Sequence, residues 1–115
     1  MDAELAELFR ALSDPTRLRL LTMLRADLCV GELAKRAGVS ESTVSQHLGI
    51  LRRAGLITGE KRSYWTHYTA NTAELREIAA RLEGLAELLD EPADNCEVED
   101  CCPESDCDHG RGGDR

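Results

Sequence analysis

Apolar positions recur with a helical period along most of the chain and switch once to a short-period, β-branched and aromatic pattern. Leu5, Leu8, Phe9 and Leu12 fall at i, i+3, i+4 and i+7, the stripe of an amphipathic helix. Ser13-Asp14-Pro15 stops that helix and starts another. The Asp14 carboxylate can accept from orphan N–H groups, and Pro15 loses nothing at a first helical position, where its missing N–H has no partner to find. Leu18, Leu21 and Leu24, with Met23, give the second helix an apolar side. A short third helix is predicted from Val30 to Ala37, with Leu33 and Ala34 inward and Gly38 at its end. Val39 fills the turn. Ser40 caps a fourth helix that runs to about Ala54, with Val44, Leu48 and Leu51 facing a core and Gly55 suited to the left-handed position beyond it.

After Gly55 the period changes. Leu56-Ile57-Thr58-Gly59-Glu60 and Tyr64-Trp65-Thr66-His67-Tyr68-Thr69 read as two strands, with Lys61-Arg62-Ser63 between them as a basic tip. A last helix spans about Thr72 to Leu89, with Leu75, Ile78, Ala79, Leu82, Leu85 and Leu89 on one stripe. The predicted fold is mainly α with a small β-hairpin. A short helix, a turn containing Gly and a second helix with a polar outer face form a helix-turn-helix, and a hairpin directly after it is a wing.

The outer face of the fourth helix shows Ser42, Ser45, Gln46, Gly49 and Arg53. An ordinary pair of core helices gives the same inward pattern, but a solvated face would then carry Glu and Lys. Ser, Thr, Gln and Gly are weaker helix formers as a set and cost stability, so the face calls for a functional reason. Gln can bond an adenine edge at two points and Ser several base edges, while small residues permit close approach to the major groove. Ser42, Thr43, Ser45, Gln46 and His47 are the candidate base-reading residues, and Arg52, Arg53, Lys61 and Arg62 the candidate phosphate contacts.

A net charge of −8 over 115 residues argues against a DNA-binding protein only until the charge is located. Residues 1–90 hold 13 acids and 12 bases, whereas residues 91–115 hold nine acids and two bases. DNA binding depends on local basic surface rather than on the total. The chain divides into a helix-turn-helix body over residues 1–91 and an acidic, Cys-rich tail over 92–115, poor enough in apolar groups to be disordered without a ligand. A body of this size buries only about 60–65% of its unfolded surface, so a shared core in a homodimer, through the first and last helices, is expected. Phe9 and Leu12 would meet the last-helix stripe across a two-fold axis. No run of 18 apolar residues occurs, the N-terminus has no basic segment before an apolar one, and a cytoplasmic location without membrane contact follows. No His–carboxylate pair, phosphate loop or nucleophile motif is evident, so an enzyme is the least favoured class, and Ser42 and Ser45 are groove contacts rather than nucleophiles.

Three segments together carry a family resemblance. Leu12-Ser13-Asp14-Pro15-Thr16-Arg17-Leu18-Arg19-Leu20-Leu21 resembles the opening of the ArsR/SmtB family of metal-responsive repressors. Leu28-Cys29-Val30-Gly31-Glu32-Leu33-Ala34 resembles its metal-box helix. Ser40 to Leu48, followed by Leu51-Arg52-Arg53-Ala54-Gly55-Leu56-Ile57, resembles its recognition helix and entry to the wing. The match covers about residues 3–90. It implies a homodimer that represses on double-stranded operator DNA while metal-free and leaves it when an inducer binds. The family's arsenic and cadmium sensors carry Cys-Val-Cys at the start of the third helix. Here Cys29 matches the first thiol, but Gly31 replaces the second. The family's other site uses Asp and His on the last helix, and Thr72 to Leu89 contains neither.

The missing donors can come from the tail, where Cys96, Cys101, Cys102 and Cys107 stand as C-x4-C-C-x4-C, followed by His109. Nine residues from Pro92 to Cys101 span up to roughly 30 Å when extended, so reach is no obstacle. Cysteines in a reducing compartment point to thiol chemistry rather than structural disulfides. Thiolates are soft donors, and a trigonal three-thiolate site for arsenic(III) or antimony(III) is less demanding here than a tetrahedral one, with cadmium, mercury or zinc as alternatives. A lone Cys29 can equally be a small hydrophobe, and Cys101 and Cys102 can serve redox sensing. A metal-binding or thiol-redox module that uses its helix-turn-helix for protein contact is the competing class.

Overall fold

Residues 2–92 are described by a computed structural model of the chain. Helix α1 spans Asp2–Leu12, α2 Pro15–Met23, α3 Val30–Ala37 and α4 Glu41–Arg53; strands β1 Ile57–Arg62 and β2 Trp65–Ala70 follow, and α5 runs over Thr72–Asp90. The order, five helices with one antiparallel hairpin before the last, is that of a winged helix-turn-helix. The chain separates into a unit that ends at Leu82 and a second that begins at Glu83, whose described part is the end of α5 and the two residues after it. No helix among the described residues is long and apolar enough to cross a membrane.

Local chemistry sets each boundary. Asp14 caps α2 by accepting from the N–H groups of Thr16 and Arg17 at 2.9 and 3.2 Å, with Pro15 inside the first turn. Ser40 caps α4 through the Thr43 N–H at 3.1 Å. Gly38 ends α3 with φ 74°, and its N–H donates to the Ala34 carbonyl at 2.8 Å. Gly55, at φ 80°, turns the chain from α4 into β1. Both angles lie in the left-handed region that a Cβ disfavours. Asn71, which the sequence did not single out, ties the hairpin's exit to its entrance. Its N–H donates to the Leu56 carbonyl at 2.8 Å and its side-chain amide to the Gly55 carbonyl at 3.0 Å, and its side-chain oxygen accepts from the Glu74 N–H at the start of α5.

The core of the first unit is a knot of Leu20, Leu33, Val44, Leu48, Leu51, Leu56 and Ile57, all essentially inaccessible, joined by Leu8, Ala11, Ala34, Ala37 and Ile78. Val44, Leu48 and Leu51 face inward as their spacing requires. The second helix departs from expectation: Leu20 is its buried residue, whereas Leu18 is half exposed and Leu21, Met23 and Leu24 only partly buried. Spacing of i, i+3, i+6 slips backward around a helix at roughly 100° per residue, so Leu18, Leu21 and Leu24 do not share a face. Leu20 sits about 160° from Leu18 around the axis and 40° from Leu24.

The hairpin also differs from the sequence reading. Its register pairs Ile57 with Ala70 through Arg62 with Trp65, so the loop is Ser63-Tyr64 alone. Lys61 and Arg62 belong to β1 rather than to the tip, which is occupied by Tyr64, almost fully exposed. Ser63 takes φ 55°, the positive angle that a two-residue loop needs to match the twist of its strands.

On α5, Ile78 is buried and Leu75 partly so, while Ala79 lies at the surface. Phe9 and Leu82 in the first unit are exposed, as are Leu85, Leu88 and Leu89 in the second. Leu20→Ala should lower the stability of the fold by about 2–5 kcal/mol in urea unfolding. Leu18→Ala should cost less than about 1 kcal/mol, reversing the order that the i, i+3, i+6 pattern suggests.

Candidate nucleic-acid interface and thiol site

With one edge of α4 buried, the opposite face is presented to solvent. Ser42, Ser45 and Gln46 are exposed on it and their side chains make no hydrogen bond within the described residues. Thr43 is half buried, and its hydroxyl accepts from that of Ser40 at 2.9 Å, so it completes the cap. Arg53 is exposed beside Gly49, where an added Cβ would stand 3.5 Å from Nη1. Arg52 leans toward the wing. A Cβ at Gly59 would meet Arg52 Nη1 at 3.2 Å and Tyr68 Cε1 at 3.1 Å, so glycine in β1 makes room for both side chains. Lys61 and Arg62 are exposed, and Arg62 donates to Glu60 at 3.3 Å.

His47 does not join this face. Its side chain is only 17% exposed, and Nδ1 accepts from Arg17 Nη1 at 3.1 Å while Nε2 lies 3.8 Å from Asp14 Oδ2. In the described structure its contacts are with α2. At position 47 the ring falls on the flank of α4 that meets α2, where Arg17 occupies one ring nitrogen and the capping Asp14 lies beyond hydrogen-bond distance of the other. Arg17 is the hub of this contact. Its Nε donates to the Ala11 carbonyl at 2.6 Å and Nη2 to the Arg10 carbonyl at 3.2 Å, which closes the C-terminal turn of α1 and locks it to α2 and α4.

Cys29 is the N-cap of α3, is exposed, and makes no capping bond through sulfur. It opens on a groove of about 740 Å³ that it shares with Asp27, Glu32, Tyr64 and Trp65, so one wall belongs to the support helix and the other to the wing. Glu32 is paired to Arg36 at 3.1 Å. A Cβ at Gly31 would lie 3.9 Å from Cys29 Sγ and 3.3 Å from Glu41 Oε2; this is where a second thiol of a Cys-Val-Cys pair would begin. No group of three His, Cys, Asp or Glu among the described residues stands together to hold an ion. The groove therefore supplies one soft donor and space, and any further donors must come from elsewhere. Cys96, Cys101, Cys102 and Cys107, with His109, lie outside the described residues.

His67 on β2 pairs with Asp27 at 2.5 Å, and its ring meets Trp65 edge-on at 6.0 Å between centroids. Sequence reading found no His–carboxylate pair because the partners of His67 and His47 are 40 and about 33 positions away, a separation that only the fold closes. Among the described residues neither ring has a hydroxyl or thiol hydrogen-bonded to it.

A support helix, a glycine turn, a second helix with a small polar face and a hairpin carrying exposed cations define a winged helix-turn-helix DNA-binding protein. Residues 14–58 match the model described as bacterial regulatory protein, arsR family. The chain is 34% identical over 70 residues to the transcriptional repressor SdpR of Bacillus subtilis (strain 168), covering 60% of this chain and 78% of that protein. It is 34% identical over 98 residues to the "Probable mercury resistance operon repressor" of Streptomyces lividans, covering 84% of this chain and 74% of that one. The solved ArsR-like transcriptional regulator from Rhodococcus sp. RHA1 superposes with a TM-score of 0.70 at 42% identity, over 76% of this chain and 84% of the other. The chain belongs to the ArsR family of bacterial transcriptional regulators.

Arg17→Met keeps the side chain's length and apolar stem but removes three hydrogen bonds, and should cost about 1–3 kcal/mol in urea unfolding. Arg17→Lys should recover little of this, because an ammonium cannot span carbonyls and imidazole as a guanidinium fork does.

Proposed function

We propose that this chain is a homodimeric repressor that holds operator DNA through α4 and the wing, and releases it when a soft metal or metalloid ion is captured at Cys29 with thiols of the 92–115 tail. The observation that carries the reading is the exposed Cys29 thiol at the N-cap of the support helix, opening on a groove whose far wall is the wing. Phe9 and Leu82 of the first unit are exposed apolar groups that a second copy would cover, as are Leu85 and Leu89 of the second unit, and palindromic half-sites call for such a two-fold. Ser42, Ser45 and Gln46 are assigned to base edges, and Arg53, Lys61 and Arg62 to phosphates. Arg52, resting over Gly59, braces the wing. The protein works in the cytoplasm, where DNA and reduced thiols coexist. It acts by binding, not by turnover.

Cys29 is the one thiol among the described residues, so the tail is assigned Cys96, Cys101, Cys102 and Cys107 as further donors. Three thiolates suit arsenic(III) or antimony(III), which makes arsenite or antimonite the first choice of inducer. Mercury is the second reading. Likeness to the Streptomyces lividans repressor spans 84% of 115 residues and so runs past the described body into the cysteine-bearing tail. Ion capture that weakens DNA must itself be weakened by DNA by the same factor, and such couplings are about 1–3 kcal/mol, or 5–150-fold.

DNA-binding titrations of wild type and Cys29→Ser against arsenite, antimonite, cadmium, mercury and zinc test the reading. At least one thiophilic ion should release wild type by about 5–150-fold and leave Cys29→Ser bound. Release that persists without Cys29, or its absence with every ion, overturns the assignment. On the DNA side, Gln46→Ala should cost about 1–3 kcal/mol on the operator with little change on unrelated duplex. Arg62→Ala should weaken both, and flatten the slope of log affinity against log salt by about 1.

A further inference from the structure

The contact between Asp27 and His67 is not explained by the core. Asp27 is exposed in the loop between α2 and α3, and its side chain is 56% accessible. His67 is on β2, opposite Glu60 of β1, and is more enclosed at 23%. The pair connects two segments 40 positions apart. Asp27 lies two residues before Cys29, and both line the groove. Trp65, two residues before His67 on the same side of its strand, forms the groove's opposite wall and meets the His67 ring edge-on. An occupant of the groove anchored at Cys29 thus meets the link at both ends: the loop that carries Asp27 and the indole that backs His67.

We propose that Asp27 and His67 are positioning residues that hold the wing in its DNA-binding pose, and that a group attached at Cys29 displaces the wing by breaking their contact. Among the described residues this contact is the side-chain hydrogen bond that joins the wing to the loop between α2 and α3. The wing's roots are fixed by buried Leu56 and Ile57 and by Asn71, whereas Lys61, Arg62, Ser63 and Tyr64 toward its tip are exposed. A strut at His67, about midway along β2, therefore sets the aim of the outer half, which carries Lys61 and Arg62. This inference deepens the proposed function and rests on Cys29 as the point of attachment, but it does not require that the attached group be a metal.

The test uses the full chain with Cys96, Cys101, Cys102 and Cys107 changed to Ser, so that N-ethylmaleimide reacts at Cys29 alone. DNA affinity is measured before and after modification, with arsenite titrated into the unsubstituted protein in parallel. Modification of the tail-substituted protein should lower DNA affinity by about 5–150-fold, the usual range of such couplings. With His67→Ala or Asp27→Ala added, affinity should already be low, and modification should change it less than about threefold. Asp27→Asn, which keeps an acceptor oxygen toward His67, should restore both the affinity and the response. Deuterium exchange in residues 57–70 should rise on modification of the tail-substituted protein and be already raised in His67→Ala. A merely structural role would lower thermal stability and leave the ratio of modified to unmodified affinity intact, which overturns the strut. So does a tail-substituted protein whose DNA affinity ignores modification. If the maleimide weakens DNA binding through His67 but no ion does, the strut stands and the metal reading falls.

Discussion

The structure depends on the burial of one narrow edge of α4. Val44, Leu48 and Leu51 are sealed against Leu20 of α2 and Leu33 of α3, and no other residue of α4 is buried. A helix with a single apolar edge has one stable rotation about its axis. A turn in either direction would expose leucine and bury Ser, Gln or Arg without partners. Arg17 adds a second constraint from the flank, since His47 can accept its hydrogen bond only at that rotation. The polar face of Ser42, Ser45 and Gln46 is therefore aimed by packing behind it and needs no contact of its own. That explains how a face of weak helix formers persists: caps and core supply the stability that its composition does not.

The same economy governs the support helix. α3 is eight residues long and commits Leu33, Ala34 and Ala37 to the core, which leaves its N-terminal end as the place where solvent, loop and wing meet. In the proposed mechanism a ligand there meets the loop before Cys29 and the hairpin rather than the knot of leucines. The wing carries the response in that mechanism because the recognition helix is anchored in the core along its one apolar edge.

Legibility in the sequence followed the physics of each feature. Caps at Asp14, Ser40, Gly38 and Gly55 were readable because they act over three or four residues, and the α4 edge because its spacing closes on one face. The inward side of α2 is not legible because leucine fills positions 18, 20, 21 and 24, and composition alone cannot rank them; only the partners on α3 and α4 choose Leu20. The hairpin's position was evident, but its register was not. Lys61, Arg62 and Ser63 all suit a loop, and cross-strand pairing decides which of them enter β1. The turn of His47 toward α2 is not legible locally, because nothing near it in the chain announces Arg17. The Asp27–His67 pair and the groove shared by Cys29 and Trp65 join segments far apart in the chain, and no local pattern encodes them.

Gly31 is the reason the proposed site draws its further donors from the tail. Its absent side chain leaves the position beside Cys29 Sγ open, with the Glu41 carboxylate close by, so α3 offers one sulfur and the start of α4 a hard oxygen. A carboxylate is a poor match for the ions that thiolates prefer, and no third donor stands near among the described residues. Donors supplied from the tail pay for loop closure, but that cost grows only logarithmically, by about 0.6 kcal/mol for each doubling of the loop. A second and third sulfur–metal bond outweigh so small an increment. Splitting the site between a fixed thiol and distant ones therefore sacrifices little affinity. In return, binding as proposed would draw the tail, whose residues 92–115 carry eight acids and two bases, toward the groove beside the wing. Bringing that charge near phosphates opposes the DNA complex directly, with a strength that salt would screen.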